Sequence, residues 1–497
     1  MIRRLSLCLM AAAALCSSAG CLPLEAKVQW SPDGRWAAVL APDGLYLSDA
    51  DGALSPLIAP GVKAAAWTPD SKRLVVLRRK TLATWKEVTA LFPEAETPSE
   101  EFVAGAKRLK AELLAHEGSM DKFEPKSLKD MPGALAILAI MYLRDVDPAG
   151  LPEKLGPKWE ELKKVEAQAV LLEVGDVAEG VVKFGPHVAK TFDDLTTLRL
   201  SPDGKTAACV GIPAAVKAEG PSLLVVAVSD GKLREVAECV SSYPDWSSDG
   251  RFIVYAHAAT TTAKAGGKDA AERLGTISRR EVAGADGALL EKFADAEDLA
   301  RLLFNERLEV RCLADGRVLF NALAVNLPCA KAEWPKSGEL FALDMKATPA
   351  VGRVLSAAAP EKITDNLMWF EVSPDQKRVL ISTPQGISIV SLADGRVEAT
   401  IAEKPRDLLN LPVWRTSDEV CLAVSAGSKI GSAARSEIVL WSATGTKVLT
   451  KSWPDKVVKG MLEVSKGTPV EEKKPGEAAP APASPPPTGP KPPKPAP

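Results

Sequence analysis

Seven copies of one short turn, each followed by an apolar strand, predict an all-β protein: a seven-bladed β-propeller of four-stranded antiparallel blades. The clearest copy reads Trp-Ser-Pro-Asp-Gly-Arg-Trp at residues 30–36, and the others begin at residues 67, 200, 246, 312, 372 and 414. A second turn, usually with glycine, follows further along, which is typical of another hairpin in each unit. The steps from Asp33 to Asp70 and from Asp203 to Asp249 match the roughly 40–50 residues of one blade.

The turn has a simple physical explanation. In Ser-Pro-Asp-Gly, proline presets φ, aspartate caps the turn through its side chain, and glycine tolerates a positive φ. The strand that follows is apolar on both faces, as expected for a strand buried between packed sheets. We therefore predict that six aspartates are structural turn caps and do not form a carboxylate site: Asp33, Asp70, Asp203, Asp249, Asp315 and Asp375.

Tryptophan recurs immediately before the turn, at Trp30, Trp67, Trp246 and Trp414. An aromatic ligand cage would need such residues, but their equivalent position in the repeat favours packing between blades.

The repeated Trp-Ser-Pro-Asp-Gly-Arg turn resembles the TolB-like, WD-repeat-like β-propeller family of bacterial periplasmic proteins. The resemblance extends over roughly residues 26–464, apart from one insertion. It implies the fold, but members serve both as binding scaffolds and as accessory domains of peptidases, so it implies no single activity.

The long gap between the turns at Asp70 and Asp203 predicts a helical insertion in blade two, over residues 86–165. Ser99 is a predicted helix cap, followed by apolar residues at helical spacing. The apolar run over residues 133–143 is too short to cross a bilayer and predicts a buried helix. A helical cap on the propeller, a partner-docking surface and a lid over the channel all remain open for this insertion.

The N-terminus predicts export. Arg3 and Arg4 precede an apolar run over residues 5–15 and small residues over 17–20, the arrangement of a signal peptide. Residues 18–21 (Ser-Ala-Gly-Cys) resemble a bacterial lipobox, which implies lipidation of Cys21. Ordinary cleavage after Ala19 is the alternative. The predicted location is extracytoplasmic and membrane-anchored, in the periplasm or cell envelope. The resemblance to bacterial lipoproteins implies the outer membrane, because Leu22 and not Asp follows Cys21.

The C-terminal residues are mostly Pro, Ala, Lys and Glu without apolar periodicity, which predicts a disordered tail. The chain therefore divides into a signal peptide (1–20), a lipid-anchor linker (21–25), a β-propeller (26–465) and a Pro-rich tail (466–497).

The 62 basic and 64 acidic residues nearly balance, so the sequence lacks the excess of positive charge that is typical of nucleic-acid-binding proteins.

The sequence carries no catalytic motif that we could assign. It lacks the GxSxG elbow and the phosphate-binding glycine loops. A propeller-linked peptidase would also need a catalytic domain, for which the residues after the last turn are too few. Its three histidines, His116, His187 and His257, are widely separated, and isolated histidines are poor candidates for metal ligands or bases. We therefore expect no catalytic residues, no metal and no cofactor.

Five cysteines follow Cys21 in the chain: Cys209, Cys239, Cys312, Cys329 and Cys421. None has CxxC spacing, and whether two of them form a disulfide remains open.

These observations predict a non-enzymatic, lipid-anchored propeller that binds protein partners in the bacterial cell envelope. We expect a monomer attached to the membrane through its N-terminal lipid. The alternative is a propeller that binds or hydrolyses a sugar or small metabolite at its central channel, where loops from all blades converge. A quinone-dependent electron-transfer propeller ranks last, because its tryptophan-docking repeat does not recur.

Overall fold

Six antiparallel sheets, each built from strands that follow one another in the chain, form the β-structure of the computed structural model. The structure describes residues 27–116, 125–129, 131, 133–214, 220–258, 274–304, 308–324, 339–344, 351–353, 367, 369–383, 386–402, 412–424 and 436–462. The predicted signal peptide, Cys21 and the tail over 466–497 lie outside the described residues.

Five sheets have four strands each. The first contains β1 (Val28–Trp30), β2 (Trp36–Ala41), β3 (Gly44–Asp49) and β4 (Ala59–Pro60). The second contains β5 (Val62–Trp67), β6 (Arg73–Leu82), β7 (Ala167–Ala178) and β8 (Val181–Thr191). The third contains β9 (Asp194–Leu200), β10 (Thr206–Ile212), β11 (Ser222–Ala227) and β12 (Leu233–Ala237).

The fourth sheet has eight strands. It contains β13 (Asp245–Trp246), β14 (Phe252–Ala258), β15 (Leu274–Glu281), β16 (Glu297–Leu303), β17 (Val310–Cys312), β18 (Arg317–Ala324), β19 (Glu339–Asp344) and β20 (Val351–Arg353). The fifth contains β21 (Trp369–Val372), β22 (Arg378–Thr383), β23 (Gly386–Ser391) and β24 (Val397–Ala402). The sixth contains β25 (Val413–Thr416), β26 (Glu419–Val424), β27 (Glu437–Ser442) and β28 (Gly445–Val448).

The predicted β-propeller with four-stranded antiparallel blades is confirmed, but the prediction of seven blades is wrong, because the ring has six. The turns at residues 246–251 and 312–317 both lead into the eight-stranded sheet. β16 pairs with β18 at Leu302↔Ala324 and Leu303↔Leu323, so one ladder continues from the first repeat into the second. A count of turns assigns one blade to each turn and cannot detect a pairing between two repeats.

The two ends of the propeller differ. In each repeat the first strand runs toward the Ser-Pro-Asp-Gly-type turn and the second runs away from it. All these turns therefore lie at one end, which we term the turn end. The connections between second and third strands lie at the opposite end, which we term the insertion end. Lys27, which precedes β1, also lies at the insertion end.

The insertion end takes its name from a helical module between β6 and β7, whose paired residues Leu82 and Ala167 close the hairpin beneath it. The module contains α1 (Trp85–Leu91), α2 (Glu100–Ala115), α3 (Lys126–Lys129), α4 (Gly133–Asp145), α5 (Leu151–Leu155) and α6 (Pro157–Leu162). It has a hydrophobic core of its own, which includes Leu109 and Met141 and continues onto Leu171 of β7. Among the described residues, no helix has the length and apolar character needed to cross a membrane.

The ring closes between the first and last sheets by packing, since each sheet keeps its own consecutive strands. A final helix, α7 (Asp455–Leu462), follows the last sheet and packs against the first one. Lys27 Nζ donates to the carbonyl oxygen of Met461 over 2.9 Å. The first and last described segments of the propeller are therefore in contact at the insertion end.

Candidate functional site

The first strands of the repeats line the centre of the propeller. β1 contacts β5 and β25, β5 contacts β9, β13 contacts β17, and β21 contacts β25. Because these first strands contact one another around the ring, the side chains that do not pack against a neighbouring strand point toward the common axis. Polar residues on these strands are therefore candidates for a site in the central channel.

Five charged side chains lie together on these strands: Arg199, Asp245, Glu309, Arg311 and Glu371. We term them the channel cluster. Four of them occupy one position in the repeat, immediately before the tryptophan position of the turn. Glu309 lies two residues before Arg311, immediately before the start of β17. Glu309 is 1% exposed and forms an ion pair with Arg311. Arg199 lies further away, with its Nη2 4.0 Å from Glu309 Oε1.

The backbone holds the acidic members of the channel cluster in place. Glu309 donates its backbone N–H to Asn321 Oδ1 over 2.8 Å. The carboxylate of Asp245 accepts the backbone N–H of Cys312 over 2.8 Å, which ties β13 to β17. The first bond fixes the backbone of Glu309 and the second fixes the carboxylate of Asp245, both relative to strands of the same sheet.

Burial dominates the electrostatics of the channel cluster. It raises the pKa of Glu309, although the nearby Arg311 and Arg199 oppose the change. Burial and the positive charge of Arg311 lower the pKa of Arg199, while Asp245, Glu309 and Glu371 oppose that change. The side chain of Arg199 is still 27% exposed. Its guanidinium can therefore accept an anionic group from the channel, since planar N–H donors match a carboxylate bidentately.

The repeat tryptophans connect neighbouring channel strands. The indole nitrogen of Trp246 donates to the carbonyl oxygen of Arg199 over 3.3 Å, and that of Trp414 donates to the carbonyl oxygen of Glu371 over 3.1 Å. Trp67 makes the equivalent bond to the carbonyl oxygen of Gln29 over 2.7 Å. Each bond joins a turn tryptophan to the repeat before it in the chain. The acceptor there is the residue immediately before that repeat's own tryptophan position. The tryptophans thus pack between sheets and also position the channel-facing residues.

The six turn aspartates lie at the turn end, apart from the channel cluster. In five of them the carboxylate accepts the hydroxyl two residues earlier and the backbone N–H two residues later: Asp33, Asp70, Asp203, Asp249 and Asp375. Asp315 accepts the backbone N–H and the guanidinium of Arg317. These bonds use the carboxylates within their own turns.

The three histidines lie far apart. His116 ends α2, and His187 on β8 pairs with Glu173 of β7. His257 belongs to a polar chain across three strands, in which its Nε2 lies 3.1 Å from Ser278 Oγ, and Ser278 Oγ donates to Asp298 Oδ1 over 2.8 Å. Burial lowers the pKa of His257. The serine stands between the histidine and the aspartate and is fully buried, so this order differs from that of a hydrolytic triad.

Four cysteines lie within the described ranges of the chain. The thiols of Cys209, Cys312 and Cys421 are buried and form no disulfide, and Cys329 lies outside those ranges. Burial raises the pKa of Cys209 and of Cys421 to about 12, so neither thiol is a reactive thiolate near neutral pH. Within the same ranges, no group of three or more His, Cys, Asp or Glu side chains is arranged to hold a metal ion.

Comparison with known proteins identifies no family for this chain. No family model and no curated protein matches this sequence. Similar solved structures include the β-propeller domain of the trilobed protease from Pyrococcus furiosus, with 11% identity, a TM-score of 0.43, and coverage of 84% of this chain and 91% of that one. Dipeptidyl peptidase 4 from Porphyromonas gingivalis has 9% identity and a TM-score of 0.40, over 86% of this chain and 53% of that one.

A third similar structure is the acylaminoacyl peptidase of Pyrococcus horikoshii, with 12% identity, a TM-score of 0.35 and coverage of 56% of this chain. The match spans only 41% of the length of that peptidase. At such identities the likeness concerns the fold alone and transfers no activity to this chain.

Proposed function

We propose that this protein is a non-enzymatic, lipid-anchored propeller of the TolB-like kind that binds another protein in the bacterial cell envelope. The observation that carries the proposal is the helical module at the insertion end, which is held rigidly on the propeller and presents a large surface outside the repeat. Long insertions on rigid scaffolds commonly carry function. The lipobox-like Cys21 supports the anchor.

Arg144 explains why the module is rigid. Its guanidinium donates to the carbonyl oxygen of Ala83, where the module begins, over 2.6 Å, and to that of Val165, where it ends, over 2.9 Å. The side chain is 6% exposed and also pairs with Asp145. One buried side chain therefore joins both ends of the module, and a rigid surface binds a partner with little loss of conformational entropy.

Charge reversal on the module tests this proposal. Lys107 and Arg108 are exposed on α2, so Lys107→Glu with Arg108→Glu changes the surface while leaving the core residue Leu109 in place. We expect the double variant to keep the wild-type melting temperature and to lose a cross-linked envelope partner that the wild type retains. The matched control is Lys72→Glu at the turn end, which should retain that partner. Equal cross-linking by all three proteins would contradict the proposal.

A second candidate function is supported by the channel cluster: binding of a small metabolite in the central channel. The cluster offers both a guanidinium, Arg199, and carboxylates, Asp245 and Glu371, which favours a ligand with both charges, such as an amino acid, over a neutral sugar. Calorimetric titration with free amino acids, and with glucose as the neutral comparison, tests it. Binding that is lost in Arg199→Met would support it, and no heat from any of these compounds would contradict it.

A further inference from the structure

The channel cluster contains one buried carboxylate that faces two guanidinium groups. Glu309 is 1% exposed and forms an ion pair with Arg311, and its Oε1 lies 4.0 Å from Nη2 of Arg199. Arg311 is buried as well, whereas the side chain of Arg199 is 27% exposed. Arg199 therefore reaches both the solvent and the surroundings of the buried carboxylate.

The groups that face the carboxylate of Glu309 come from four strands. They are two guanidinium groups, one carboxylate and one indole: Arg199 on β9, Asp245 on β13, Arg311 on β17 and Trp369 on β21. The backbone of Glu309 is paired with Tyr243 and donates to Asn321. Burial raises the pKa of Glu309, because the loss of water outweighs the attraction of both guanidinium groups. A further negative charge nearby will therefore favour its protonated form.

A ligand carboxylate on Arg199 supplies that negative charge. An oxygen bound to Nη2 of Arg199 at about 2.8 Å lies no more than about 7 Å from Oε1 of Glu309. This separation is shorter than the Debye length of about 8 Å at physiological ionic strength, and buried charges are screened even less. The ligand also competes with Glu309 for the positive charge of Arg199. Both effects make it easier for Glu309 to hold a proton.

We propose that the binding of a carboxylate to Arg199 is coupled to the uptake of one proton by Glu309. The proton comes from the solvent and forms an O–H bond on the Glu309 carboxylate, and no other covalent bond forms or breaks. The inference deepens the second candidate function, the binding of a zwitterionic metabolite in the channel, and rests on it. Because the complex holds more protons than the free protein, the affinity rises as the pH falls, by at most about tenfold per pH unit.

Calorimetric titration of the full-length protein with L-alanine measures this coupling. The heat of binding is compared at one mildly acidic pH in two buffers, MES and bis-Tris, which release a proton with different enthalpies. We expect the wild type to take up a proton from the buffer when alanine binds. Alaninamide has the same size but no carboxylate, and it should cause no uptake. Glu309→Gln should bind alanine without proton uptake.

The outcomes separate the inference from the function beneath it. An absence of heat from alanine contradicts the second candidate function, and the inference fails with it. Alanine binding without proton uptake in the wild type overturns the inference alone. Uptake that persists in Glu309→Gln and disappears in Glu371→Gln also overturns it, because the proton then belongs to a different carboxylate of the channel cluster.

Glu173→Gln provides the matched control for the substitution. Glu173 is also a buried glutamate paired with an arginine, Arg78, but it lies on β7 and outside the channel cluster. This variant should take up the same number of protons as the wild type. Infrared difference spectra of the wild type require no substitution, and alanine should increase the band of a protonated carboxyl group. A band that stays unchanged while alanine binds would refute the coupling.

Discussion

The indole nitrogen of Trp453 donates a hydrogen bond to the carbonyl oxygen of Gly52 over 2.9 Å, joining the segment after the last sheet to the first sheet. The hydroxyl of Ser452 donates to the same carbonyl oxygen over 3.1 Å. Lys447 also forms an ion pair with Asp51 next to this point. No strand in the described part of the chain is exchanged between the first and last sheets, so these contacts and the apolar packing around them hold the two ends together.

We predict that Trp453→Ala destabilises the propeller by about 3–5 kcal/mol, because it removes a large buried side chain from the seam. Trp453→Phe should cost less, about 1–2 kcal/mol, since it keeps most of the packing but leaves the Gly52 carbonyl with one donor fewer. Denaturant unfolding measures both. Trp441→Phe is the control, because Trp441 is half-buried in the sixth sheet and away from the seam. Equal effects at Trp441 and Trp453 would contradict a special role for the seam.

A second prediction concerns Arg144. Arg144→Met should loosen the helical module, because the carbonyl oxygens of Ala83 and Val165 lose their donor and Asp145 loses its ion pair. Breaking a buried pair in this way costs about 3–5 kcal/mol. Hydrogen exchange should therefore become faster over residues 85–162 and stay unchanged in the first sheet. The exposed pair Lys163–Glu160 offers the control, since Lys163→Ala should change exchange very little.

A third prediction concerns the pH dependence at Glu309. Burial raises its folded pKa, so the folded state holds the proton more tightly than the unfolded state. Relative to Glu309→Gln, the wild type should therefore gain stability as the pH falls from the folded pKa toward the unfolded value of about 4.3. The gain is complete below that value. Unfolding midpoints of both proteins at neutral and mildly acidic pH measure it, and a constant difference would refute it.

The turns were predictable because their chemistry is local. Ser31, Asp33 and Gly34 lie within four residues, and the hydroxyl, carboxylate and positive φ that they supply depend on nothing distant. The blade count was not predictable in the same way. It depends on the pairing of Leu302 with Ala324, which lies between two repeats and carries no turn signal of its own.

The channel cluster was only partly visible in the sequence. Arg199 and Glu371 are charged residues at the same place before the turn, and this recurrence could have identified them. Their meeting with Asp245 and Glu309 depends on the closed ring, because up to 172 residues separate these positions. The polar chain through His257 connects three strands of one sheet, and no residue spacing in the sequence predicts it.

The last prediction concerns acid sensitivity of the turns. The hydroxyl of Thr68 and the backbone N–H of Lys72 donate to Asp70 and lower the pKa of its carboxyl. Because the folded pKa is lowered, the stability that Asp70 adds is present above the unfolded pKa of about 3.9 and is lost as the pH falls through the folded pKa. Asp70→Ala should therefore lower stability by about 1 kcal/mol at pH near 7, through the lost hydrogen bonds, and by less at pH near 3. Asp70→Asn is the control, since its amide oxygen still accepts both bonds without a titrating charge. Thermal melts of the three proteins at both pH values measure the effect, and a deficit of Asp70→Ala that stays constant with pH would show that the carboxylate charge contributes nothing.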